Sequence, residues 1–313
     1  MIRTPRIQCS FACNNHPDSE RLKKESHAWI VARFALLPSA RGSFTVDKLT
    51  QSCFELFATL TFASGKPCRM MPILKYVAWF FLFDTVLDDP LLVGADPSAT
   101  DALCSVICCL LDDSSSSIFF SDDPFIRVLT DTMREWWVEI CLVMPSVLQA
   151  RFRTSFKEYL EASRRQIQYR ASGCLPDLDT FLPLRVYAGG AYTCFHLIQY
   201  TLDICFDEET VAHPLFVAVN AAAIDHLNWV NDLLSFKKEL MEGDLLGVDG
   251  KEKEVALQDV VDEVCGMLRE RDEECVRLMA EIKASPLLMS KAGMAGYLQG
   301  LGNWMRGNVE WHM

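Results

Sequence analysis

Apolar residues recur at a helical period along most of the chain, and the strict alternation of a half-buried strand is rare. The pattern predicts helices over 19–37, 46–63, 71–89, 100–111, 124–143, 146–170, 178–189, 191–204, 208–239, 253–284 and 291–309. Clusters of Pro, Gly, Ser and Asp at 38–43, 64–67, 112–117, 172–177 and 242–252 separate them, residue types that end helices and supply turn dihedrals. No internal repeat and no long polar linker interrupts the pattern, so it predicts one all-α domain spanning 1–313, a helical bundle.

At 50% hydrophobic over 313 residues, the chain can bury a large core. A formal charge of -12 argues against a nucleic-acid partner, which would need clustered Lys and Arg. The thirteen cysteines are odd in number and scattered, and MIRTPRIQCSFACNN lacks a signal peptide's apolar stretch, so a reducing, cytoplasmic setting is expected. Cys9, Cys13 and His16 are close in sequence, but no fourth ligand follows at a zinc spacing, and ordinary thiols are the better reading. The strongest apolar run, YVAWFFLFDTVL from Tyr76, meets Asp84 well short of the ~20 apolar residues of a span. No integral membrane segment is expected. Arg164, Arg165 and Arg170 share a helix with Glu158 and Glu161 and read as a solvated face.

Two polar stripes interrupt this apolar pattern. In WFFLFDTVLDDP, Asp84 and Asp88 are one turn apart and share a helical face, whereas Asp89 points to the side. Carboxylates at the C-terminal end of a helix oppose its dipole, and burying them demands a cation or donors. The pair therefore invites a divalent metal. In WVNDLLSFKKELMEGD, Asn231, Ser235 and Glu239 fall every fourth residue, drifting ~40° per step along a stripe roughly 12 Å long. Amide, hydroxyl and carboxylate are all hard oxygen ligands of the kind Mg²⁺ takes. A Gly189-Gly190 pair fits either a break that directs a carbonyl into a cavity or a simple interhelical loop.

With Asp84, Thr85, Asp88 and Asp89 after an aromatic run, and Asn231 to Glu239 with Lys238 before the glutamate, the sequence resembles the class I terpene synthases. The likeness is to the small fungal and bacterial sesquiterpene cyclases. Arg185 lies 46 residues ahead of Asn231, where that family carries its diphosphate-sensing arginine, and the family's effector position falls on Gly189. NNHPDSERLKKESHAW resembles the family's opening segment, so the likeness spans the chain.

The resemblance implies a helical bundle around an apolar pocket and a carbon-oxygen lyase. It implies three Mg²⁺ held by Asp84, Asp88, Asn231, Ser235 and Glu239, with Arg185 and Lys238 on the diphosphate. It further implies loss of diphosphate from an acyclic prenyl diphosphate, farnesyl diphosphate by chain length, and cyclisation to a sesquiterpene. Phe80, Phe81 and Phe83 fit either ordinary core or aromatic faces toward a carbocation. Thr85 replaces the family's second acidic or amide residue, and the family's C-terminal Arg-Tyr pair is expected to be missing beyond the segment ending at Met313. Two alternatives stay open: a catalytically impaired binding or scaffold protein, and a prenyl-chain-elongating synthase, which would show a second aspartate-rich motif. Oligomeric state is open too, a homodimer included.

Overall fold

Prolines and polar caps set where the helices begin. The computed structural model describes residues 7–34, 51–89, 91–112, 123–174, 176–242 and 253–313, the side chains of 236–242 and 253–257 excepted. All regular structure among the described residues is helical: α1 Ser19–Phe34, α2 Phe54–Thr61, α3 Pro67–Asp88, α4 Pro97–Asp112, α5 Pro124–Cys141, α6 Ser146–Ser172, α7 Leu178–Ala188, α8 Ala191–Leu202, α9 Glu208–Val211, α10 Pro214–Glu242, α11 Lys253–Ala284, α12 Pro286–Met289 and α13 Met294–His312. Asp123, Asp177 and Asp207 cap α5, α7 and α9 by accepting from Phe125 N at 2.9 Å, Thr180 N at 2.9 Å and Thr210 N at 2.8 Å. These side chains satisfy N–H groups that have no partner inside the helix.

The observed helices follow the predicted pattern with two instructive differences. The segment 208–239 breaks at Pro214, which cannot donate inside a helix and opens α10 instead. The helix predicted from 71 starts at Pro67, again with proline in the first turn. Predicted helix at 35–37 and 46–50, and the turns at 38–43, 113–117 and 243–252, lie outside the described residues.

The chain divides into two compact units, a larger one of His16–Thr59 and Gly65–Cys205 and a smaller one of Met1–Asn15, Leu60–Ser64 and Phe206–Met313. In the larger unit α3 packs against α1, α5, α6 and α8. Its rings build a continuous aromatic column, with centroids 4.7 Å apart for Tyr76 and Trp136, 4.9 Å for Trp79 and Phe83, and 5.3 Å for Trp137 and Phe152. Buried indole N–H groups need acceptors. Trp79, Trp136 and Trp137 donate to the carbonyls of Leu129 (2.8 Å), Pro72 (2.8 Å) and Leu111 (3.1 Å).

At 22 residues, α3 is long enough, and in its most apolar window apolar enough, to cross a membrane, exceeding the uninterrupted run visible in the sequence. However, 67% of that window is buried inside protein, the behaviour of a core helix.

In the smaller unit α10 packs against α11 and α13. Tyr297 donates to Asn220 Oδ1 at 2.6 Å, and its ring stacks on Phe216 at 5.1 Å. Ile7 joins Val230, Leu233, Val261, Leu268 and Val309 in a buried apolar cluster that fixes the N-terminal segment to α10, α11 and α13.

Candidate active site

The last turns of α3 carry the acidic motif of the larger unit. Asp84 is half-buried and Asp88 exposed. Tyr159 on α6 donates its hydroxyl to Asp84 Oδ1 at 3.0 Å. Burial, and then the neighbouring Asp88 charge, push the Asp84 carboxyl up to about 7 against the opposing pull of Tyr159, Arg185 and Arg170. Arg185, in the last turn of α7, is thus near enough to exert an electrostatic pull on Asp84.

Arg170 has a role that the sequence reading missed. Its Nη2 donates to Asp88 Oδ1 at 2.9 Å, while Nη1 reaches the carbonyls of Leu87 (3.2 Å) and Gly94 (3.4 Å). One guanidinium therefore neutralises Asp88 and satisfies the carbonyl end of α3, a preferred place for positive charge. Arg165, by contrast, is exposed and pairs with Glu161 on its own helix at 3.3 Å, as expected of a solvated face, whereas the less exposed Arg164 pairs with Asp101 of α4 at 3.2 Å. Tyr159 was also missed. It sits in an ordinary apolar stripe of α6, 75 residues from its carboxylate, and local spacing holds no sign of the contact.

Asp89 turns away from the pair. Its Oδ1 accepts from Leu91 N at 2.8 Å, shaping the turn after the helix. Thr85 Oγ1 donates to Phe81 O at 2.9 Å, so its hydroxyl closes on its own helix instead of toward a metal-bound water.

The helix does break at the glycine pair. Gly189 caps α7 with an ordinary φ of -74°, whereas Gly190 opens α8 at φ 64°. A Cβ at Gly190 would lie 2.5 Å from Phe80 Cζ, so both dihedral and space select glycine. Gly190 O accepts from Thr193 Oγ1 at 2.6 Å, and Thr193 pairs in turn with the Tyr76 hydroxyl at 2.8 Å. Phe80 is partly exposed beside Tyr159, ring centroids 5.0 Å apart, while Phe81 stacks on Phe54 at 4.5 Å. Phe83 is fully buried and belongs to the core.

In the smaller unit, Asn231 and Ser235 lie one turn apart on α10, each partly exposed. Ser235 Oγ is buried without a hydrogen-bond partner among the described residues, an orphaned oxygen of the kind a metal ligand presents. The side chains of Lys238 and Glu239 lie outside the described residues. A like-charged carboxylate pair and an unpaired hydroxyl both suit a hard divalent cation.

A family model described as "Terpene synthase family 2, C-terminal metal binding" matches residues 75–274, more than half of the chain. The chain belongs to this family. Terpene synthases of this family act on prenyl diphosphates and bind divalent metal, so this chain is an enzyme of that kind. It is 28% identical to "Microbial Terpene synthase-like protein 13" of Selaginella moellendorffii over 97% of this chain and 84% of the relative. It is 26% identical to the (+)-germacrene D synthase of the same organism, over 93% of this chain and 83% of that one. The fold matches that of germacradien-4-ol synthase from Streptomyces citricolor with a TM-score of 0.78 at 17% identity, covering 100% of this chain and 99% of the other.

Proposed function

We propose that this terpene synthase ionises farnesyl diphosphate with Mg²⁺, releases diphosphate as a carbon-oxygen lyase, and cyclises the fifteen-carbon cation to a sesquiterpene. The observation that carries the reading is the Asp84–Asp88 pair: two carboxylates on one face of an apolar helix, the first raised to about 7 by burial and by the second. Protein donors offset only part of that penalty, and a bound divalent ion would offset the rest. The matched relatives with sesquiterpene products in their names, such as (+)-germacrene D synthase, support the substrate length.

Asp84 and Asp88 would hold metal through the first motif, and Asn231, Ser235 and Glu239 through the second, with three ions in all by family likeness. When bound, Mg²⁺ supplies Lewis-acid stabilisation of the negative charge that grows on the departing diphosphate. The Tyr159 hydroxyl donates to Asp84, which favours its ionised form and orients it. Arg185 and Lys238 bring fixed positive charge to the diphosphate, which lowers the energy of the separated ion pair. Gly189, at the end of α7, would present backbone to the substrate carbon chain. The partly exposed faces of Phe80 and Phe81 would stabilise a cation by their quadrupoles while shielding it from water. A cytoplasmic setting belongs to the same proposal, supported by thirteen cysteines that are all free thiols.

The test is incubation of the full chain with farnesyl diphosphate and Mg²⁺, extraction into pentane, and gas chromatography with mass detection, alongside pyrophosphate release. Sesquiterpene hydrocarbon or alcohol that disappears with chelator is the expected result. Intact farnesyl diphosphate after prolonged incubation with Mg²⁺ would overturn the proposal.

A further inference from the structure

Far from the aspartate motif in sequence, the smaller unit brings a thiol, an imidazole and a carboxylate together. Ligand atoms of Cys9, His226 and Asp272 all lie within 4.8 Å of one another. His226 on α10 is 0% exposed, and neither Nδ1 nor Nε2 has a hydrogen-bond partner among the described residues. A neutral imidazole carries one donor and one acceptor, and native interiors almost never leave both unused. Asp272 on α11 is 2% exposed, and no ion pair among the described residues neutralises it. Ser10 N donates to its two oxygens at 3.0 and 3.1 Å and Ser10 Oγ donates to Oδ2, which fixes the carboxylate. Cys9 is half-buried next to it.

We propose that Cys9, His226 and Asp272 bind a zinc-class transition-metal ion that clips the N-terminal segment to α10 and α11. Tetrahedral bonds of zinc to sulfur, nitrogen and oxygen put donor atoms about 3.3–3.6 Å apart. The cluster must therefore close by about 1 Å, within the reach of side-chain rotation on a fixed backbone. The charges balance: Cys9 as thiolate and Asp272 as carboxylate supply two negative charges, imidazole is neutral, and a divalent ion brings the buried site to zero. Binding releases the Cys9 thiol proton to solvent. Three protein ligands leave a fourth position for water.

The ligand set also selects the ion. Sulfur and imidazole suit zinc, cobalt and their neighbours and reject Mg²⁺, whereas Asp84, Asp88, Asn231, Ser235 and Glu239 are all oxygen donors. The two metal types would not compete. The N-terminal segment is positioned for such a clip, since Phe11 lies over Gly302, where a Cβ would come within 2.7 Å of its ring.

The test uses the full-length protein, stripped with chelator and titrated with Co²⁺ as a spectroscopic substitute for Zn²⁺. About one equivalent should produce a thiolate-to-cobalt charge-transfer absorption in the near ultraviolet, and zinc content after dialysis should be about one per chain. Both should survive Cys13→Ser and a large excess of Mg²⁺. Cys9→Ser, an isosteric change whose folding is checked by circular dichroism, should lose the absorption and weaken binding at least tenfold, as should His226→Gln. A charge-transfer band of equal strength in Cys9→Ser, or no band in the wild type, would overturn the proposal. Neither readout depends on turnover, so the outcome is separate from that of the farnesyl diphosphate assay.

Discussion

Ser235→Ala separates a ligand from a structural hydroxyl, because the two roles predict opposite changes in stability. Ser235 Oγ is buried with no hydrogen-bond partner among the described residues. An unsatisfied buried polar group costs about 1–3 kcal/mol, whereas removing a satisfied one loses roughly 0.5–1.5 kcal/mol. Alanine also has the better helix propensity, by a few tenths of a kcal/mol in the middle of α10. The metal-free variant should therefore be as stable as the parent or more so, by about 1–2 kcal/mol once the chain has relaxed around the orphaned oxygen. Turnover should move the other way. Loss of one charge-assisted ligand worth about 1.5–3 kcal/mol corresponds to about a tenfold to hundredfold drop in kcat/KM. It should be partly recovered at high Mg²⁺. Denaturant unfolding in chelator, paired with product formation across a Mg²⁺ series, reads both quantities on one preparation. A variant destabilised by more than about 1 kcal/mol in chelator, with an unchanged Mg²⁺ dependence, would show that Ser235 holds the helix and not the metal.

Gly190→Ala should cost about 2–4 kcal/mol, about 1 from the left-handed dihedral and the rest from pushing Phe80 out of its aromatic neighbours. Gly173→Ala is the control in the same unit: its φ is 65° but nothing lies within 4 Å, so it should cost only about 1 kcal/mol. Equal unfolding midpoints for the two variants would remove the Phe80 contact from the explanation. Tyr159→Phe deletes the donor that favours ionised Asp84 and should raise the Mg²⁺ concentration for half-maximal turnover about tenfold. An unchanged Mg²⁺ curve would show that the bond does not prepare the ligand. Burial lowers the His196 imidazole from 6.5 to about 4, so the unfolded chain binds the extra proton first. Stability should be complete above pH 6.5 and fall by about 2 kcal/mol towards pH 4, less than the full shift implies because the ring retains some solvent. His196→Phe should flatten that limb of the unfolding midpoint against pH, and an unaltered slope would assign the acid sensitivity elsewhere.

What could be read from the sequence was whatever depends on neighbours in the chain. The helical period set the boundaries of α5, α6, α7, α8 and α11 to within two residues, since capping aspartates and prolines act locally. Asp84, Asp88, Asn231 and Ser235 could be placed on helix faces for the same reason: four residues make about one turn whatever the tertiary surroundings. Pro214 was as visible as Pro67, and the long apolar pattern from Glu208 nevertheless concealed its break.

Contacts between distant segments left no such trace. Arg170 looked like one of three surface arginines because a basic residue beside acidic ones is normally solvated, yet only this one reaches Asp88 and the end of α3. Tyr159 was one aromatic among many until the fold set its hydroxyl against Asp84. Cys9 shows the same limit. The eye pairs it with Cys13 and His16, but both His16 nitrogens are occupied, by Gly65 O at 2.9 Å and by Asp18 N at 3.0 Å. Its partners in space are 217 and 263 residues away, and what singles them out is a hydrogen-bond deficit at His226. A deficit of that kind is a property of packing. Ligand candidates that lack a spacing motif are therefore better sought among buried groups whose bonding capacity the fold leaves unused.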